Sequence, residues 1–136
     1  MDNGQWLFRE QMGLGKFVGF VYLIKDNLSG DFYIGKKLYK TYGKNNYGLE
    51  SNWKTYLHSS DSMRSFLGDC SIENLEFHAL EQYKTRGGLT YAETWSLCHV
   101  EAPTNKNCRS KKLEKIQFRV VENITSRHKQ RLGELL

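Results

Sequence analysis

Two short apolar runs with a polar break between them do most to limit what this chain can fold into. They are Gly19-Phe20-Val21-Tyr22-Leu23-Ile24-Lys25 and Phe32-Tyr33-Ile34-Gly35. Both are rich in aromatic and β-branched residues, and the break, Asp26 to Gly30, is built from turn formers, so a β-hairpin is predicted. A symmetric loop over Asp26–Ser29 would set Lys25 against Gly30 and Tyr22 against Tyr33, with both phenols on one face. A bulge in the loop would move that pairing by one residue. Phe17–Lys25 is apolar on both of its alternating faces, which places it centrally in a sheet covered by helices. Asp31–Lys36 completes the hairpin.

Elsewhere the patterning predicts a mixture of elements. Trp6–Met12 reads as a short helix or arm, and Lys37–Glu50, with two glycines, two asparagines and three tyrosines, reads as a long, flexible, basic loop. Ser51-Asn52 can cap a helix running through His58, and Ser60-Asp61 a second one over Ser62–Leu67, stopped by Gly68. Leu75–Gln82 alternates as a third strand. Thr85–Gly88 breaks the chain, Leu89–Val100 reads as a helix, Lys111–Gln117 is ambiguous and Phe118–Val121 can be strand. Ser126–Leu135 closes as a basic amphipathic helix. The fold class expected is α+β: a small, mainly antiparallel three-stranded sheet with the hairpin at its centre, flanked by helices. At 136 residues it forms one domain, with a core over about residues 17–124 and a basic C-terminal helix over 125–136.

Composition narrows the function class. No apolar run approaches the ~20 residues needed to span a bilayer, and no basic-then-apolar leader opens the chain. A soluble protein of the cytoplasm is expected, with no membrane partner. Three cysteines, Cys70, Cys98 and Cys108, form no regular framework and no Cys-x-x-Cys pair, which fits reduced thiols. The net charge of +5 is uneven. Lys36–Tyr56 carries five lysines against Glu50, and Lys106–Arg131 carries nine basic residues against Glu114 and Glu122. A positive face of this kind suits a polyanion, and a solvated lysine-rich surface accounts for it equally well. Lys36, Lys40 and Lys44 interleave with Tyr42, Tyr47, Trp53 and Tyr56. Such a mixture can stack unpaired bases while cations meet phosphates, and ordinary loop anchoring is the alternative. Arg127, Lys129 and Arg131 can grip a nucleic-acid backbone, or simply solvate a helix end.

Phe20-Val21-Tyr22, ten residues, then Tyr33-Ile34-Gly35 resembles the paired motif of the GIY-YIG nuclease family. Gly19 sits one position early, and Phe20 and Val21 replace the usual Gly and Ile. The stretch Glu50–Ser60, the strand Leu75–Gln82 and Tyr91-Ala92-Glu93 resemble stand-alone, phage-type members, so the likeness runs from Phe17 to about Ile124. It implies an endonuclease that hydrolyses DNA phosphodiester bonds with Mg²⁺ or Mn²⁺. If the protein is phage-encoded, its compartment is the host cytoplasm.

By motif position Tyr22 and Tyr33 match the family's tyrosines, one of them implicated as the general base, and Glu93 matches its metal-binding glutamate. Hairpin packing accounts for the tyrosines otherwise, and a capping box, Thr90-x-x-Glu93, accounts for the glutamate. The family's basic residue one helical turn before a histidine or tyrosine maps to Lys54 and His58, with Tyr56 as rival for the latter and Lys36 or Lys37 as alternative cations. Its late asparagine maps to Asn123. The commoner form places that residue near Val121, and capping of the last helix suits Asn123 as well. One site cuts one strand, so double-strand cleavage requires a homodimer, a higher oligomer or two events. Two rival functions stay open: a non-catalytic nucleic-acid-binding module with the same fold, and a phage-like protein that inhibits a host factor.

Overall fold

The computed structural model describes residues 1–57, 60–110 and 122–136. Three strands, β1 (Gly19–Asp26), β2 (Phe32–Leu38) and β3 (Leu75–Tyr83), form one antiparallel sheet in the order β2-β1-β3. The α+β class holds, and the doubly apolar strand is central as expected. Its hairpin partner, β2, is an edge. Three helices follow: α1 (Asp61–Gly68), α2 (Arg86–His99) and α3 (Ser126–Leu135).

The hairpin register differs from the symmetric one. Tyr22 faces Gly35, and Tyr33 faces Ile24. The loop closes one residue later than expected because Asp26 is its organiser. Its amide donates to the Asp31 carbonyl at 2.8 Å, its carbonyl accepts from Gly30 N, and its carboxylate accepts from Leu28 N and the Ser29 hydroxyl. Gly30 ends the loop at φ +80°, a conformation glycine takes without a Cβ penalty. A shift of two residues leaves every side chain on its own face. The two tyrosines therefore remain on one side of the sheet, as diagonal rather than direct neighbours.

Each face of the sheet carries a core. On one, Val21, Leu23, Ile34 and Leu80 pack against Leu89, Ala92 and Leu97 of α2 and Leu132 of α3. On the other, Phe20, Tyr22, Ile24 and Phe77 pack against Met63 and Phe66 of α1 and against Trp6, Met12 and Trp53. Residues Trp6–Met12 form no helix. The arm instead bridges the outer edge of β3, with Leu7 N donating to Phe77 O at 2.8 Å and Ala79 N to Leu7 O at 3.1 Å, while Trp6 is buried with its indole N–H on Trp53 O. The first half of the outer edge of β2 is covered. Phe32 exchanges backbone bonds with Asn107 and Arg109, and Ile34 N donates to the Ser110 hydroxyl at 2.9 Å. Further along, the Ser51 hydroxyl donates to Leu38 O at 2.6 Å.

Ser60 caps α1 by accepting from Met63 N. The helix expected from Ser51-Asn52 through His58 is a single 3-10 turn, Trp53–Thr55, and Tyr56 is extended. His58 lies outside the described residues, as do Lys111–Gln117 and Phe118–Val121. α2 begins three residues earlier than its periodicity indicated, because Thr85 caps it through Gly88 N and because Glu122 reinforces that cap. The Glu122 carboxylate accepts from Lys84 N at 3.0 Å, Thr85 N at 3.2 Å and the Thr85 hydroxyl at 2.9 Å, placing negative charge at the positive end of the helix. Thr125, not Asn123, caps α3.

Candidate active site

A cavity of about 400 Å³ lies beside the β2 edge, lined by Tyr22, Tyr33, Gly35, Lys36, Ser60, Ser62, Glu93 and Ser110 among others. Four elements meet there. Tyr22 comes from the central strand, on the face away from α2, and its ring lies across Gly35. A Cβ on that glycine would run into the phenol oxygen and Cζ, so the second motif's glycine makes room for the first motif's tyrosine. Tyr33 stacks on Phe66 with ring centroids 6.1 Å apart. Its hydroxyl is 3.1 Å from the Ser60 hydroxyl and 3.3 Å from that of Ser62, tying β2 to the start of α1. Lys36 points to the other face, where its ammonium donates to the Thr90 hydroxyl at 2.8 Å. Glu93 reaches the cavity from the middle of α2 and is buried.

Thr90 and Glu93 form no capping box, since that box belongs to a helix start and both residues lie well inside α2. Capping therefore does not account for Glu93. The electrostatics of the phenols are unequal. Burial pushes the Tyr22 hydroxyl well above the usual phenol range, helped by Tyr56, Tyr33 and the Glu93 carboxylate. At neutral pH Tyr22 is a protonated phenol, with Met63 Sδ 3.5 Å away as its acceptor. Among the described residues, the cavity combines one carboxylate, two phenols, one ammonium and three serine hydroxyls.

Among families of known proteins, the one described as "Putative endonuclease segE, GIY-YIG domain" matches residues 6–116. The chain belongs to the GIY-YIG nuclease family. No curated protein and no solved structure matches.

Of the positions that the GIY-YIG resemblance implied, Tyr22, Tyr33 and Glu93 line one cavity, and others are dispersed. Lys54 does not line the cavity: it sits on the 3-10 turn, with its ammonium 2.8 Å from Asp2, a bond that raises its pKa. Asn123 is exposed and lies apart from the cavity. Lys37 lies beside it, its ammonium 4.2 Å from the Tyr56 ring centroid, and burial lowers its pKa. Trp53 and Tyr56, expected to stack on bases, are 2% and 5% exposed and belong to the core. Both are ringed by other aromatics, Trp53 by Phe20 and Tyr39 and Tyr56 by Tyr22. Lys40 and Lys44 are exposed on the loop after β2. Arg127, Lys129 and Arg131 are on α3, which packs toward β3, on the far side of roughly 10 Å of sheet from the β2 edge. Arg127 pairs there with Glu81 at 3.5 Å and Arg131 with Glu134 at 3.2 Å.

Ser62 and Ser110 were not legible as site residues. Ser60 announced itself as a cap, but Ser110 arrives through a contact spanning 76 positions, which no local pattern signals. The donor set fits a hard divalent ion. Among the described residues no group of three His, Cys, Asp or Glu gathers anywhere, so an all-protein cage is absent there. Mg²⁺ is commonly held by one or two carboxylates together with water and substrate phosphate, which is what Glu93 among hydroxyls offers. No helix among the described residues is long and apolar enough to cross a membrane.

Proposed function

We propose that this protein is a divalent-metal-dependent endonuclease that hydrolyses DNA phosphodiester bonds. One observation carries the reading: Glu93, Tyr22, Tyr33 and Lys36, from three separate elements, line one open cavity. Phosphodiester hydrolysis needs a positioned water, compensation of charge on the phosphate oxygens, and relief of charge on the leaving oxygen. Glu93 is the residue that would hold the ion. When bound, the ion would polarise the phosphate and lower the proton affinity of a neighbouring phenol.

The remaining roles belong to side chains. Lys36, held by Thr90 with its charge in the cavity, offers a point charge to a phosphate oxygen. Tyr33, positioned by Ser60 and Ser62, is the phenol placed to orient the attacking water. Tyr22, protonated and buried, would turn its hydroxyl from Met63 Sδ to donate to that water or to phosphate. Of the cations expected from sequence, Lys36 takes the part assigned to Lys54.

Supercoiled plasmid incubated with the protein tests this reading. Nicking with Mg²⁺ that disappears with EDTA is expected, and binding without nicking would replace the enzyme by a non-catalytic module. The observation favouring that second reading is the burial of Tyr22, 2% exposed.

A further inference from the structure

The loop after β2 is a closed projection rather than a slack connection. Lys40 bridges Glu50 in antiparallel fashion, Thr41 N donates to Leu49 O at 2.8 Å, and Gly48 N donates to Thr41 O at 2.8 Å. At its tip the rings of Tyr42 and Tyr47 meet edge-on with centroids 5.4 Å apart. The Arg86 guanidinium sits 5.0 Å over Tyr42, bracing that ring from α2. Tyr47 is left 73% exposed, so its ring is largely open to solvent.

Between this tip and the active-site cavity runs a groove of about 460 Å³, lined by Lys36, Lys37, Lys40, Tyr42 and Tyr56 among others. Its size lies within the roughly 300–1,000 Å³ of sites that hold small-molecule-sized ligands. Lys36 lines both the groove and the cavity, so the two adjoin at that residue. Lysines lining a groove next to an exposed ring suit an unpaired strand: phosphates meet the cations and a base lies on the aromatic face. A blunt duplex keeps its bases stacked except at its terminal pairs and so offers Tyr47 little to hold.

We propose that the Lys40–Glu50 projection captures an unpaired nucleotide next to the scissile phosphate, so that the preferred substrate is DNA with a single-stranded segment bordering a duplex. This rests on the proposed nuclease function for its meaning and on binding alone for its proof.

The test measures fluorescence anisotropy in EDTA, with the Glu93→Gln chain so that no strand is cut. One sequence is presented as single strand, blunt duplex and duplex with a single-stranded flap. The flap and the single strand should bind more tightly than the blunt duplex. Tyr47→Ala should weaken both by roughly five- to a hundredfold, with a smaller loss on the blunt duplex. Tyr47→Trp should keep the preference. Lys40→Ala should weaken all three forms alike and reduce the salt slope by about one. Equal affinity for all three forms, or an equal loss on all three with Tyr47→Ala, overturns the proposal. A wild-type chain that nicks no plasmid but shows the flap preference loses the nuclease reading and keeps this one. A chain that nicks plasmid without the preference does the reverse.

Discussion

His128 should make stability fall as the solution becomes mildly acidic. Its ring is fully buried between two hydroxyls, with Nδ1 2.8 Å from the Tyr83 oxygen and Nε2 2.7 Å from the Ser96 oxygen. Ser96 already donates to Ala92 O at 2.7 Å, so its oxygen accepts from Nε2–H, and Nδ1 accepts from Tyr83. The neutral ring is thus satisfied on both sides, and a second proton on Nδ1 would face a hydroxyl donor. Burial pushes the pKa down to about 4 from 6.5, outweighing the pull of Glu81, with Lys129 adding to the depression.

The sign follows from proton counts. Below pH 6.5 the unfolded chain takes up a proton that the native ring refuses until about pH 4. Stability from this group is therefore intact above 6.5 and is lost as pH falls through that window. At about 1.36 kcal/mol per pKa unit the loss approaches roughly 3 kcal/mol, a large share of an ordinary domain's 5–15 kcal/mol. Urea unfolding of wild type and His128→Gln at half-unit steps from pH 7.5 to 4.5 reads it. The difference between the two curves should change by about 1.4 kcal/mol per pH unit in the middle of the window. Parallel curves, or a ring that titrates near 6.5 by NMR in the native state, would refute the reasoning.

Gly35→Ala should cost about 1–3 kcal/mol in urea unfolding, because the added Cβ meets the Tyr22 phenol. Cleavage should fall with it, as the ring is pushed from its place. Glu122→Gln removes the charge that caps the α2 start and should cost about 1 kcal/mol, read as an earlier thermal midpoint. Lys36→Met should lower nicking by roughly tenfold or more while leaving the folded state within about 1 kcal/mol of wild type. Lys54→Met should leave nicking close to wild type, since Lys54 pairs with Asp2 away from the cavity.

The elements legible in the sequence were those whose signals are local. Ser60 capping a helix that Gly68 ends, the alternation of Leu75–Gln82, and the Ser126–Leu135 helix all depend on neighbours within a few residues. Where distant groups decide, local reading failed. The Thr85 cap of α2 is reinforced by Glu122, 37 positions away, while Gly87-Gly88 looked like a chain break and Thr90-x-x-Glu93 like the cap. The hairpin register depended on Asp26 bonding across its own loop, a choice between turns of the same composition. The two tyrosines stayed on one face because the error was an even number of residues. His128 stands between Arg127 and Lys129 of the basic C-terminal helix, yet it faces inward to Tyr83 and Ser96. Trp53 looked available for bases only because its place in the aromatic core is built from contacts with β1 and Tyr39.

Mg²⁺-dependent nicking of supercoiled plasmid by Glu93→Gln, set beside wild type at matched unfolding midpoints, tests the central claim most directly. The account predicts a loss of about a hundredfold or more with stability retained, because the carboxylate at the β2 edge would be the protein's hold on the ion. Cleavage by the variant at the wild-type rate would contradict it.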